Sequence, residues 1–437
     1  MGTCCSPKVQ YLENLEYKEN IRLQIIERDR QGNFISRCPV SFVVLPPQEQ
    51  VFNLINLPKT SILSSGCIIP GLDPRDECDK ECQDSFTVLS CDTQLMAVLF
   101  DGHGKDGKRV SLFCRDFMKK YFEKNFENFE NNPKAAIEDM VDHCDYDLAS
   151  SGIESSLSGT TAVIIVINSL GMHAGSVGDS RAILATISKD PVSKPPGLDS
   201  IPFKRTVQPN RILSSIPLTI DQKPNHEGEL QRIVAAGGVV EKLADEMGRP
   251  IGPYRVWKKN GNLPGLAMSR SIGDKFAHDI GVSSVPIIHT YTHFPMQDQF
   301  IVIASDGIWD VMENNEVTNF VEKFRKNCQN GGSAYPAKTS NSSIARLLCE
   351  EARYRWFGVI EEEDVMIDDI SCVILEFSNS ISDEKVRIDE RSTKKFKSIA
   401  IEHAVKTGET GKAVRKDPTR GSMATDDSTI SEALSEL

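Results

Sequence analysis

No run of eighteen apolar residues occurs anywhere in the 437-residue chain, so no membrane-spanning helix is expected. The first residues lack the apolar stretch of a secretory signal, which makes the cytosol the default compartment. Basic residues are the minority, 50 against 62 acidic, and a net charge of −12 argues against a general nucleic-acid binder, which would usually show a basic stripe. Twelve cysteines are present, yet none forms a CxxC pair and most stand singly, so free thiols in a reducing compartment are expected. Cys78 and Cys82 find no second ligand pair at zinc-site spacing.

What the chain does contain divides it in three. Hydrophobic residues make up 39%, ample for a core, and the length suits one large domain with extensions. Residues 58–378 carry recurring apolar runs and amphipathic segments and are expected to form the main domain. Residues 1–57 are mixed and are taken as an N-terminal extension. Residues 379–437 are charged and poor in apolar side chains, and are expected to be a disordered tail. The start reads Met1-Gly2-Thr3-Cys4-Cys5-Ser6, with Ser at the sixth position after a penultimate glycine. That pattern predicts myristoylation of Gly2 and palmitoylation of Cys4 and Cys5, two acyl chains being what stable attachment requires. The expected location is therefore the cytoplasmic face of a membrane, and otherwise the cytoplasm.

Apolar runs rich in Val and Ile predict buried strands at Leu95 to Phe100, Ala162 to Ile167, Phe300 to Ala304 and Ile370 to Leu375. Val110, Phe113, Phe117 and Tyr121 recur at helical spacing. Leu230, Ile233 and Val234, followed by Gly237-Gly238, predict a helix stopped by glycine. A proline-rich stretch from about 186 to 217 predicts an exposed loop. Two of the strands end in an acid followed by glycine: Asp101-Gly102-His103-Gly104 and Asp306-Gly307. A third is preceded by Asp368-Asp369. Carboxylates delivered to strand ends from distant parts of a chain suit a hard divalent cation, which prefers oxygen ligands. Such placement fits a parallel α/β sheet and an antiparallel sandwich equally well.

The ordered set of short blocks is more specific than any one of them. Gln83-Asp84-Ser85-Phe86 is followed by the Asp101 block and Ser158-Gly159-Thr160-Thr161. Next come Gly178-Asp179-Ser180-Arg181, Asp221-Gln222-Lys223-Pro224 and Ser269-Arg270-Ser271-Ile272-Gly273-Asp274, and then Ser305-Asp306-Gly307-Ile308-Trp309-Asp310 and Asp368-Asp369-Ile370-Ser371. Over about 58–378 the chain resembles the PP2C (PPM) family of metal-dependent protein serine/threonine phosphatases. The resemblance implies an α+β fold, an α/β/β/α sandwich of two packed antiparallel sheets flanked by helices. It implies two Mg²⁺ or Mn²⁺ ions in the site, with a weaker third. It assigns Asp101 as the bridging ligand, the Gly102 carbonyl, Asp306 and Asp368 to the rest of the shell, and Asp84 to metal-bound water. Asp179 falls at a third-metal position, and His103 is the expected general acid toward the leaving serine or threonine oxygen.

Phosphoproteins are the expected substrates, no nucleic-acid partner is expected, and the protein is expected to be a monomer. Lys80 and Arg75 are both candidates for the basic residue that binds substrate phosphate. Gly252 to Trp257 lie where the family carries a flap beside the site. Trp309 is expected in the core. Asp274 and Arg270 are left open between a structural role and contact with the metal site. Asp369 stands beside Asp368 where the family usually has asparagine, and two departures carry weight: Gln83 replaces the glutamate of many members, and no single residue upstream matches the family's phosphate-binding arginine. They keep a second reading in play, a pseudophosphatase that binds phosphoproteins or kinases without turnover.

Overall fold

A computed structural model describes residues 20–28, 34–43, 48–51, 55–57, 60–72, 81–91, 93–188, 212–294, 297–329, 343–360 and 366–378. Gly2, Cys4, Cys5, Arg75, Lys80 and the 379–437 segment lie outside the described residues.

Two antiparallel sheets carry the architecture. The first has five strands in the order Ile287–Tyr291, Gly171–Val177, Ala162–Asn168, Leu95–Phe100 and Ser85–Ser90. The second runs Ile212–Pro217, Arg181–Ser188, Asp298–Ala304, Ile370–Ser378 and Thr60–Ile69, with Gln48–Val51 and Ile55–Leu57 both pairing on the last. Every strand pairing within these two sheets is antiparallel.

Side-chain alternation explains the layering. Leu95, Ala97 and Leu99 pack with Ile301, Ile303, Val373 and Leu375 in a core between the sheets. Their neighbours Met96, Val98 and Phe100 point the other way, onto the helices Gly107–Asn131 and Pro133–Ser150. On the far side Phe300, Val302, Cys372 and Ile374 pack under the helices Asn314–Gln329 and Ile344–Ile360. Because both faces of the central strands are covered, they read as unbroken apolar runs, as strands of a parallel sheet do. The register, not the hydrophobic pattern, makes this an antiparallel sandwich flanked by helices.

All four expected strands form, and the predicted helix appears as Glu227–Ala235, with Gly237 at φ +88° just beyond it. Three expectations need correction. The buried stripe of the long helix is Val110, Cys114, Met118 and Phe122; Phe113, Phe117 and Tyr121 are half-buried along its edge. The loop expected over 186–217 does not hold at either end, because residues to Ser188 and from Ile212 pair as strands, and residues 189–211 lie outside the described residues. The 1–57 segment taken as an extension contributes strands: Asn20–Arg28 pairs antiparallel with Phe34–Val43, and Gln48–Val51 and Ile55–Leu57 join the larger sheet.

Candidate active site

Asp101 leaves the strand Leu95–Phe100, Asp306 leaves Asp298–Ala304, Asp368 precedes Ile370–Ser378, and Asp84 precedes Ser85–Ser90. Asp179 follows Gly178, whose φ of +99° makes the turn after Gly171–Val177. The first sheet therefore supplies three of these acids and the second sheet two.

Their backbones are pinned. Thr161 N–H donates to the Asp101 carbonyl at 2.9 Å, and the Thr160 hydroxyl donates to the same oxygen at 3.0 Å. Asp101 N–H in turn donates to Thr161 Oγ1 at 3.1 Å. Ser305 N–H donates to the Ser371 carbonyl at 3.1 Å, tying the Asp306 turn to the Asp368 segment.

The acids feel one another strongly. Burial pushes the Asp101 carboxyl well above the usual carboxylate range, and the charges of Asp84, Asp306, Asp368 and Asp179 push it further. Burial also raises Asp306, followed by Asp368 and Asp179. Asp84 is pushed to about 8, first by burial and then by Asp369, while the Ser371 and Ser305 hydroxyls act against the shift. Those two hydroxyls bond each other at 3.2 Å and face Asp84 only weakly, so that neither Asp84 oxygen has a hydrogen bond of normal geometry. Asp179 Oδ1 and Asp306 Oδ1 are likewise buried and unpartnered. Orphaned carboxylate oxygens facing other acids are costly unless a cation joins them.

The all-oxygen donor set fits Mg²⁺ or Mn²⁺. Among the described residues no three His, Cys, Asp or Glu side chains are drawn together tightly enough to hold an ion alone. Mg²⁺ tolerates that spacing, because it dehydrates reluctantly and keeps several waters in its shell.

His103 sits on a three-stranded ribbon in which Gly102 and His103 pair with Thr160 and Gly159, and Ile272 and Gly273 pair on the other side. This brings Asp274 to His103, with Oδ2 2.5 Å from Nε2. A Cβ on Gly159 would overlap both side chains, so only glycine fits between them. Burial acts to lower the His103 pKa, but the Asp274 charge and hydrogen bond outweigh it and the pKa is raised. Nδ1 is buried without a partner.

Other sequence candidates go elsewhere. Arg270 bonds Glu229 at 2.7 Å and the Val285 carbonyl at 2.6 Å, which is a structural role. Trp309 is buried, donates to the Ala304 carbonyl at 2.8 Å and lies under Arg181. The expected flap lies on the strand Pro250–Lys258, exposed through Tyr254. Sequence reasoning missed two partners. Lys223 Nζ lies 2.5 Å from Asp179 Oδ2, and Asp274 is the partner of His103. Both occur within the quoted blocks, but nothing local in either block points to its distant partner.

Known proteins of one family resemble this chain in sequence and in fold. The family description "Protein phosphatase 2C" matches residues 91–356, a segment that contains Asp101, His103, Asp179, Asp274 and Asp306. "Probable protein phosphatase 2C 34" of Arabidopsis thaliana is 32% identical over 300 residues, covering 65% of this chain and 72% of its own length. "Probable protein phosphatase 2C 48" of Oryza sativa subsp. japonica is 30% identical, covering 64% and 74% respectively. The crystal structure of serine-threonine phosphatase 2C from Toxoplasma gondii superposes with a TM-score of 0.54 at 19% identity, over 76% of this chain and 99% of that one. A C. elegans sex determining protein superposes with a TM-score of 0.52 at 19% identity, over 72% and 64%.

Proposed function

The chain belongs to the protein phosphatase 2C family and is a protein serine/threonine phosphatase, and on that premise we propose a metal-dependent hydrolysis carried out by the acid cluster described above. Substrates are phosphoproteins, and the family uses Mg²⁺ or Mn²⁺. The observation that carries the proposal is the set of buried, unpartnered oxygens on Asp84, Asp179 and Asp306 beside Asp101 and Asp368.

Asp101, the Gly102 carbonyl, Asp306 and Asp368 would hold two ions, with Asp84 on their water shell and Asp179 offered to a weaker third. Bound there, the cations supply charge neutralisation for the phosphoryl group and a water acidic enough to act near neutral pH. The chain's own residues do the rest. Asp274 holds His103 by Nε2, which leaves Nδ1 to give a proton to the departing serine or threonine oxygen. Thr160 and Thr161 keep the Asp101 backbone fixed while this occurs. Arg75 or Lys80 would bind the substrate phosphate, Arg by a bidentate fork and Lys as a point charge.

We further propose that acyl chains on Gly2, Cys4 and Cys5 tether the protein to the cytoplasmic face of a membrane, and that it acts as a monomer. The catalytic domain is proposed to span 58–378 together with the strands Gln48–Val51 and Ile55–Leu57 that pair in its larger sheet, with the residues before them as the anchoring extension.

The test is phosphate release from a phosphothreonine peptide with Mn²⁺, with Mg²⁺ and with chelator, alongside Asp306→Asn. Metal-dependent turnover that the substitution abolishes is the expected result. Absence of turnover in folded, metal-replete protein would favour the pseudophosphatase, and turnover that survives chelator and substitution would overturn the mechanism.

A further inference from the structure

We propose that Gln83 and Asp369 act as a pair of positioning residues that clamp the turns carrying the acid cluster, and that this clamp requires an amide, not a carboxylate, at position 83. The proposal rests on the phosphatase reading for the identity of the cation.

Asp369 is 3% exposed, and both of its oxygens accept backbone hydrogen bonds from distant segments. Oδ1 accepts from Gly71 N–H at 2.6 Å, and Oδ2 accepts from Gln83 N–H at 2.8 Å. The Gln83 side chain then reaches on: Nε2 donates to the Gly104 carbonyl at 2.7 Å. The Gln83 carbonyl accepts from Ser111 Oγ at 2.6 Å. Leu72 and Ile367 close the arrangement with a two-way backbone bridge at 3.0 and 2.8 Å. Gln83 is followed directly by Asp84, Asp369 is preceded directly by Asp368, and Gly104 closes the turn that begins at Asp101. Two side chains therefore join the three turns that present Asp84, Asp101 and Asp368.

The packing leaves the clamp little freedom. A Cβ on Gly102 would lie 2.7 Å from the Gln83 carbonyl oxygen, and one on Gly107 would lie 3.1 Å from Gln83 Oε1. The chemistry of the two positions is not interchangeable. The Gly104 carbonyl is an acceptor, so its partner must donate, which an ionised glutamate cannot do. Two backbone N–H donors converge on position 369, which calls for a carboxylate with two acceptor oxygens. The negative charge belongs at 369, where it is bonded, and the neutral donor at 83.

The consequence has an unusual sign. If residue 83 served the metal's water shell directly, Gln83→Glu would tighten cation binding by adding charge. As a clamp, the same substitution sets an acceptor against an acceptor and places a second charge beside Asp369, so binding weakens.

The experiment compares full-length wild type with Gln83→Glu, Gln83→Leu, Asp369→Asn and the double variant Gln83→Leu/Asp369→Asn. Mn²⁺ affinity is measured by calorimetry, and hydrogen exchange of 81–85 and 101–107 is measured in chelator. Loss of a residue that orients metal ligands costs tenfold or more in affinity as a rule, so each single variant is expected to bind Mn²⁺ roughly tenfold more weakly. Exchange in 101–107 is expected to quicken in Gln83→Leu and in Asp369→Asn. The double variant is expected to lose less than the sum of the singles, because the two residues act as one unit. Mn²⁺ binding by Gln83→Glu as tight as wild type or tighter overturns the proposal, as does unchanged exchange of 101–107 in Gln83→Leu. Should Asp369→Asn fail to fold, the two Gln83 variants carry the test. If wild type turns over no phosphopeptide or binds no Mn²⁺, the phosphatase mechanism fails, while exchange in chelator still decides the clamp.

Discussion

His103 and Asp274 lie 171 residues apart in the chain and meet at 2.5 Å, Nε2 to Oδ2. The Asp274 backbone at this contact is in the left-handed region, φ +45°, uncommon for a residue with a side chain.

The pair bears directly on leaving-group chemistry. Asp274→Asn is expected to lower turnover of a phosphothreonine peptide by roughly a hundredfold, the lower range of a general-acid contribution. An aryl phosphate has a leaving group that departs without a proton, and its turnover is expected to fall far less. Steady-state kcat on both substrates checks this. An equal loss on the two would assign Asp274 a purely structural role.

The acid cluster sets activity against stability. Burial and mutual repulsion raise the carboxyl of Asp306 in the folded state, so its ionised form is disfavoured there. Asp306→Asn is expected to abolish turnover while raising the melting temperature of the protein in chelator. Calorimetry on the two metal-free proteins tests it, and a lower melting temperature for the variant would contradict it.

The same cluster dictates a pH dependence. Asp84, raised to about 8 by burial and Asp369, keeps its proton in the native state over a range where the unfolded chain has lost it. The native state then binds more protons, so stability falls as pH rises from about 4 toward 8. Metal-free protein is expected to melt progressively lower across that window. Saturating Mn²⁺, which binds only the folded site, is expected to raise the melting temperature at neutral pH. Melting curves with and without Mn²⁺ at several pH values measure both effects.

Glu229 behaves in the opposite sense. Burial acts to raise its pKa, but hydrogen bonds from Arg270, Arg232 and Ser269 outweigh it and hold the carboxyl at about 2. Its stabilisation is present above the ordinary glutamate value near ~4.3 and disappears as pH falls from there toward 2. Glu229→Gln leaves two arginines short of their anion and is expected to cost about 3 kcal/mol at pH 7. Urea unfolding at pH 7 and at pH 3 checks it, the difference from wild type narrowing at the lower pH.

The N-terminal proposal has its own measurement. Metabolic labelling with a myristate analogue is expected to mark wild type and not Gly2→Ala, and Cys4→Ser/Cys5→Ser is expected to move the protein into the soluble fraction. Absence of label on wild type removes the tether.

The sequence by itself determined the four central strands, because Leu95–Phe100 and its counterparts are apolar on both faces and long enough to mark themselves. It also named the acids at their ends, since an acid beside the end of a buried run is visible without coordinates. It left the pairing direction of those strands open, because burial of both faces erases the alternation that separates antiparallel from parallel sheets. It missed the strands before residue 58, where charged and polar residues break up the short apolar segments. Only the tertiary structure decided what each site residue touches. Asp274 meets His103, Arg270 goes to Glu229, and Gln83 reaches Gly104 and Asp369. Local patterns encode which residues are buried. Contacts across hundreds of residues depend on strand register and turn geometry, which are set by the packing of the whole sandwich.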